Sequence, residues 1–145
     1  MAARAETDDR AVVRYAAELA GSLGAALILV GVSRIMSVPS AAPPTFEPFD
    51  LEAQQEEQEL VDRLAREHLE ELEATLAPGL ARESVLKWGA AGPATVEAAR
   101  EHDADLVVVP MRPRDHGLAH ALHDHADRHV LHHCDVPVLV VPTAS

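Results

Sequence analysis

The sequence predicts an α/β domain built on a parallel sheet, and three observations carry that prediction. Four short aliphatic runs are spread along the 145 residues, three of them are apolar without interruption, and helical patterns fill the intervals between them. Uninterrupted apolar runs are what strands covered on both faces require. Strands alternating with helices imply βαβ units with right-handed crossovers. At this length a single domain over 1–145 buries most of its apolar surface without staples.

The first pattern is a helix over Asp8–Gly21, with Val12, Val13, Ala16, Ala17 and Leu19 inward and a glycine stop at "GSLG". "AALILVGV" (Ala25–Val32) follows as a strand. "SVPSAAPPTFEPFD" (Ser37–Asp50) carries four prolines and is long for a connection of this kind. It leaves a strand's carboxyl end, where open α/β sheets place their ligand crevice. A variable surface loop stiffened by proline is the expected reading, with a lid over the crevice as the functional alternative. Leu51–Leu76 is a long acidic helix with Leu60, Val61, Leu64, Leu72 and Leu76 on a helical period. "ESVLKW" (Glu83–Trp88) alternates, which suits an edge strand. "GPATVEAAREH" has Pro93 in its first turn and continues as a helix. "ADLVVVP" (Ala104–Pro110) and "VPVLVV" (Val136–Val141) are strands, joined by a helix from about Gly117 to His133. Asp103 and Asp105, before "LVVV", are turn residues.

Composition narrows the function. A formal charge of −12 repels phosphate backbones and anionic leaflets, so neither nucleic acid nor a membrane surface is an expected partner. "MAARAETDDRA" lacks the basic start and apolar run of a signal peptide. The lone Cys134 has no internal disulfide partner, which points to the reducing cytoplasm, and a small buried hydrophobe is its expected role. With 3% aromatic residues the core has to be aliphatic.

Seven of the nine histidines lie between His116 and His133. His120, His123 and Asp127 fall on one helical face, a donor set suited to Zn²⁺, Ni²⁺ or Cu²⁺. Leu118, Leu122, Ala126 and Val130 form the stripe that faces the sheet. A solvated polar face is the plainer account of the histidines, and no HExxH-type motif accompanies them. Imidazoles titrate near pH 6.5, so acidification of this −12 chain would nearly cancel its charge and offers a pH switch as a further alternative. No Ser-His-Asp set or carboxylate pair stands out, so no catalytic residue is assigned.

The stretches "DRAVVRYAAELAGSLGAALILVGV", "EAAREHDADLVVVP" and "GLAHALHDHADRHVLHHCDVPVLVV", in this order, resemble the universal stress protein family. The resemblance implies a doubly wound five-stranded parallel sheet, a homodimer formed through the C-terminal strand and, in one branch, ATP or AMP held by a glycine-rich loop after the fourth strand. The positions it implies for a nucleotide here are Val32, Pro110, Arg112, Arg114, Gly117, His123 and Asp124. Several depart from the family's Gly-two-residues-Gly-nine-residues-Gly-Ser/Thr pattern. Pro110 replaces the glycine that ends the strand, Pro113 the next one, and His123 and Asp124 stand near the closing pair. A phosphate cradle needs convergent backbone N–H groups. Proline donates none, and an aspartate repels a triphosphate. The family also begins with a central strand whose acidic end serves adenosine, whereas no apolar run precedes Ala11 here. Omitting that strand would leave two exposed edges, unless preceding residues or a partner chain fill the place, or the flanking strands pair directly. The expectation is therefore a stress-response or regulatory binding module with no cofactor, no catalysis and an unidentified protein partner. An ATP- or AMP-binding protein with an altered loop and a metal- or pH-sensing protein are the alternatives.

Overall fold

The structure, a computed structural model, describes residues 2–34, 51–111 and 126–142. In chain order the elements are α1 (Ala2–Leu23), β1 (Leu27–Ser33), α2 (Leu51–Ala74), β2 (Arg82–Trp88), α3 (Ala91–Glu101), β3 (Val107–Met111), α4 (Ala126–His133) and β4 (Val138–Pro142). Helices and strands alternate, and every strand pairing among the described residues is parallel. The proline-rich loop 37–50 lies outside the described residues.

Helix ends follow the local chemistry. α1 stops where Gly24 takes φ +66, with Ala25 N–H donating to the Ala20 carbonyl at 2.9 Å and Gly24 N–H to Gly21 at 3.4 Å. That is a Schellman stop, and it accounts for the glycine in "GSLG". α3 ends the same way on an aspartate: Asp103 has φ 48, Ala104 N–H reaches Ala99 at 2.9 Å, and Asp103 N–H reaches Arg100 at 3.3 Å. Asp103 is thus the turn residue that was expected.

β1 pairs with β2 from Leu27↔Arg82 to Ser33↔Trp88, and β3 with β4 from Val107↔Val138 to Met111↔Pro142. Among the described residues "ESVLKW", expected as an edge strand, pairs on one side only, as do the other three strands. Side chains alternate across each pair. Leu27 and Leu29 face α2, as do Gly31, whose missing Cβ leaves room for Leu69, and Ser33, which bonds to α2. Ile28, Val30 and Val32 consequently face the other side, where α3 touches β1. On β2, Ser84 and Trp88 bond to α2 while Lys87 reaches α3. Helices cover both faces, as a doubly wound arrangement requires.

Two hydrophobic clusters result. Leu29, Leu69, Leu72 and Leu76 pack together with Val13, Ala17, Leu27 and Leu80. Val96, Val107, Val109 and Val130 form the other, with Val136, Val138, Val140 and Cys134 against it. Val130 of the expected inward stripe is fully buried, while Leu118 and Leu122 lie outside the described residues, and Cys134 is half-buried. The acidic helix is phased differently from the expectation: Leu60 and Leu64 are exposed, and Leu69 is buried in their stead. Its inward line runs through Gln58, Asp62, Ala65, Leu69, Leu72 and Leu76, spacings of three and four residues.

The four strands do not form one continuous ladder. β1 has no described strand on the side away from β2, and β3 none on the side away from β4. Direct pairing of these two strands, one of the alternatives for the place of a central strand, does not occur. Helices span the interval: α1 touches both β1 and β3, and α3 touches β1, β2 and α4.

Candidate functional site

The carboxyl ends of β1 and β2 meet α2 in a polar cluster. Ser33, paired in register with Trp88, is 1% exposed, and its hydroxyl donates to Asp62 Oδ1 at 2.5 Å. Trp88 Nε1 donates to the same oxygen at 3.0 Å, and Gln58 Nε2 to it at 2.9 Å and to the Arg34 carbonyl at 3.0 Å. The Ser33 hydroxyl and the Gln58 amide hold the Asp62 carboxyl below its ordinary range, with Trp88 and the Arg66 charge adding to this and partial desolvation opposing it. Gly89, at φ +111, turns the chain out of β2, and its N–H donates to the Ser33 carbonyl at 3.0 Å.

This arrangement is an ionised acceptor placed where a sheet of this type receives ligands. Its three donors come from β1, β2 and α2 of this chain, so that the cluster ties both strand ends to the helix. The Ser33 hydroxyl donates its hydrogen bond to this carboxylate and bonds to no histidine among the described residues. Sequence reading missed all four residues. The available signal was Asp62 itself, a carboxylate on the inward line of α2 directly after Val61.

Three of the sequence-predicted positions are described. Val32 lies one residue before the end of β1, partly buried on the face opposite α2. Pro110 lies inside β3, in register with Val141. Among the described residues β3 has a strand partner on one side only, a setting that tolerates proline. Asp127 sits in the first turn of α4 and is half-buried. Arg112, Arg114, Gly117, His120, His123 and Asp124 lie outside the described residues. Among the described residues no group of three or more His, Cys, Asp or Glu side chains is gathered in a form that holds a metal ion. No described helix is long and apolar enough to cross a membrane.

The family model of universal stress proteins matches residues 3–142. The chain belongs to the universal stress protein family. Solved structures agree on the fold. A universal stress protein in complex with cAMP is 24% identical, with 93% of this chain and 87% of that one covered and a TM-score of 0.53. The hypothetical protein MJ0577 is 17% identical, with 95% and 90% covered and a TM-score of 0.61. The universal stress protein UspA from Lactobacillus plantarum is 18% identical, with 90% and 87% covered and a TM-score of 0.58. No curated protein matches the chain. At these identities the structural likeness establishes the universal stress protein fold, and the chemistry of the site has to come from this chain's own residues.

Proposed function

We propose that the chain is a non-catalytic regulatory binding module of the universal stress protein family whose crevice does not grip a triphosphate. Pro110 carries this reading. It occupies the carboxyl end of β3, where the chain enters the loop that would have to present backbone N–H groups to phosphates, and it has none to present. The anionic Asp62 cluster at the end of the neighbouring strand pair works in the same direction. In its place, the crevice suits a partner that brings donor groups, such as a segment of another protein.

A second reading, a cyclic mononucleotide ligand, is favoured by the cAMP complex of the 24% identical relative. A single phosphodiester carries one negative charge and asks for fewer N–H donors than a triphosphate. In this reading Val32, near the end of β1 on the face turned to α3, would line the site.

The outer edge of β4 has no described strand partner, which supports homodimerisation through "VPVLVV". The half-buried, unpaired Cys134 fits a reducing cytoplasmic setting.

Thermal unfolding with Mg²⁺-ATP, AMP and cAMP, each added separately, tests the ligand readings. A ligand at 100 times its Kd stabilises a one-site protein by about 2.7 kcal/mol, a readily measured rise in Tm. No rise with ATP is expected. A rise with cAMP alone establishes the second reading, and a rise with ATP overturns the first.

A further inference from the structure

The side of α2 turned away from the sheet is not uniformly polar. Leu60 and Leu64 stand there, 45% and 54% exposed. Spaced four apart, they are neighbours one turn apart on a single stripe. Exposed leucines scattered singly are ordinary, whereas two in line on the solvent side of a helix make a short apolar ridge. Carboxylates frame it. Glu57 and Glu56 lie three and four residues before Leu60, Glu67 lies three after Leu64, and Glu71 follows one turn later. All four are exposed, and none takes part in an ion pair among the described residues. Arg63 stands beside the ridge between Glu59 and Glu67, and Arg66 acts on the Asp62 carboxyl, on another side of the helix.

We propose that this face of α2 docks a basic amphipathic helical segment of another protein. The apolar residues of that segment sit on Leu60 and Leu64, and its lysines or arginines meet the flanking glutamates. Charge decides the occupant. α2 holds eight glutamates against two arginines, in a chain of formal net charge −12. A second copy would set two such helices side by side, carboxylate against carboxylate. A basic segment is drawn in by the same charges, and its apolar side then meets the ridge, the anchor pattern of helix recognition. The apolar contact is small, so the association is weak and transient, and it draws on both contributions. The ridge lies about 160° around the helix from Asp62 at 100° per residue, so docking here is independent of what the crevice binds.

Backbone NMR titration of the full chain with a synthetic leucine–lysine peptide, patterned as an amphipathic helix, tests the assignment. Shifts are expected at Leu60, Leu64 and the glutamates beside them. Leu60→Ser combined with Leu64→Ser is expected to weaken the affinity by about tenfold or more, the scale of losing two partly covered leucine contacts. Glu57→Gln combined with Glu71→Gln is expected to weaken it as well and to flatten its dependence on salt. Leu23→Ser on α1, where the leucine is 66% exposed, is expected to leave it unchanged. Every substituted side chain is exposed, and circular dichroism melts verify folding. Equal binding of a scrambled peptide of the same composition, affinity indifferent to the double leucine variant, shifts confined to other elements, or no binding at all each overturns the proposal. Sedimentation that shows a dimer dependent on Leu60 and Leu64 assigns the face to a second copy and overturns it too.

Discussion

Ser33 and Asp62, separated by 29 residues, meet at 2.5 Å and tie the end of β1 to the middle of α2. The folded-state pKa of Asp62 is lowered, chiefly by this bond. The ionised carboxylate therefore stabilises the fold above the ordinary carboxylate pKa, and the contribution disappears as pH falls through the lowered folded value. Asp62→Asn should flatten the acid limb of stability. Urea midpoints measured from about pH 7 down to about pH 3 check this, and parallel pH profiles for the two proteins would refute it.

Asp103 adopts a left-handed backbone, φ 48, to close α3. That conformation costs an ordinary L-residue about 1–2 kcal/mol, less for aspartate, and costs glycine little. Asp103→Gly should raise stability by about 0.5–1 kcal/mol, and Asp103→Val should lower it. Chemical denaturation of both variants reads the difference.

Gly92→Ala places a methyl 2.6 Å from the His129 Cβ, on a helix that cannot yield by a rotamer change. α3 and α4 must separate, at an expected cost of about 1–3 kcal/mol. The same change should displace the His129–His133 stack, visible as altered ring-proton shifts.

Val130→Ala removes two methyl-sized groups from a fully buried site in the α3–α4–β3–β4 cluster. A loss of about 1.5–3 kcal/mol is expected in equilibrium unfolding. Leu69→Ala in the other cluster should cost about 2–5 kcal/mol. Hydrogen exchange should show each substitution weakening protection first in its own strand pair.

The elements of the fold were legible because strands buried on both faces must be apolar throughout, as "LILV" and "VVV" are. The glycine stop at Gly24 and the turn at Asp103 were likewise written in local chemistry. The phase of α2 was not. Leucines at 60, 64, 69, 72 and 76 satisfy more than one helical stripe, and only packing against Leu29 and Gly31 selects Leu69 over Leu64. The Asp62 cluster was hidden for a related reason. Its members come from β1, α2 and β2, and no spacing rule links Ser33, Asp62 and Trp88 before the sheet register brings Ser33 opposite Trp88. The histidine segment was read through His120, His123 and Asp127, whereas the ring contact among the described residues is between His129 and His133.

Among the described residues α1 touches both β1 and β3, and α3 touches β1 and α4, so that the two strand pairs meet there through side-chain packing. Packed helices slide by small increments where hydrogen-bonded strands cannot.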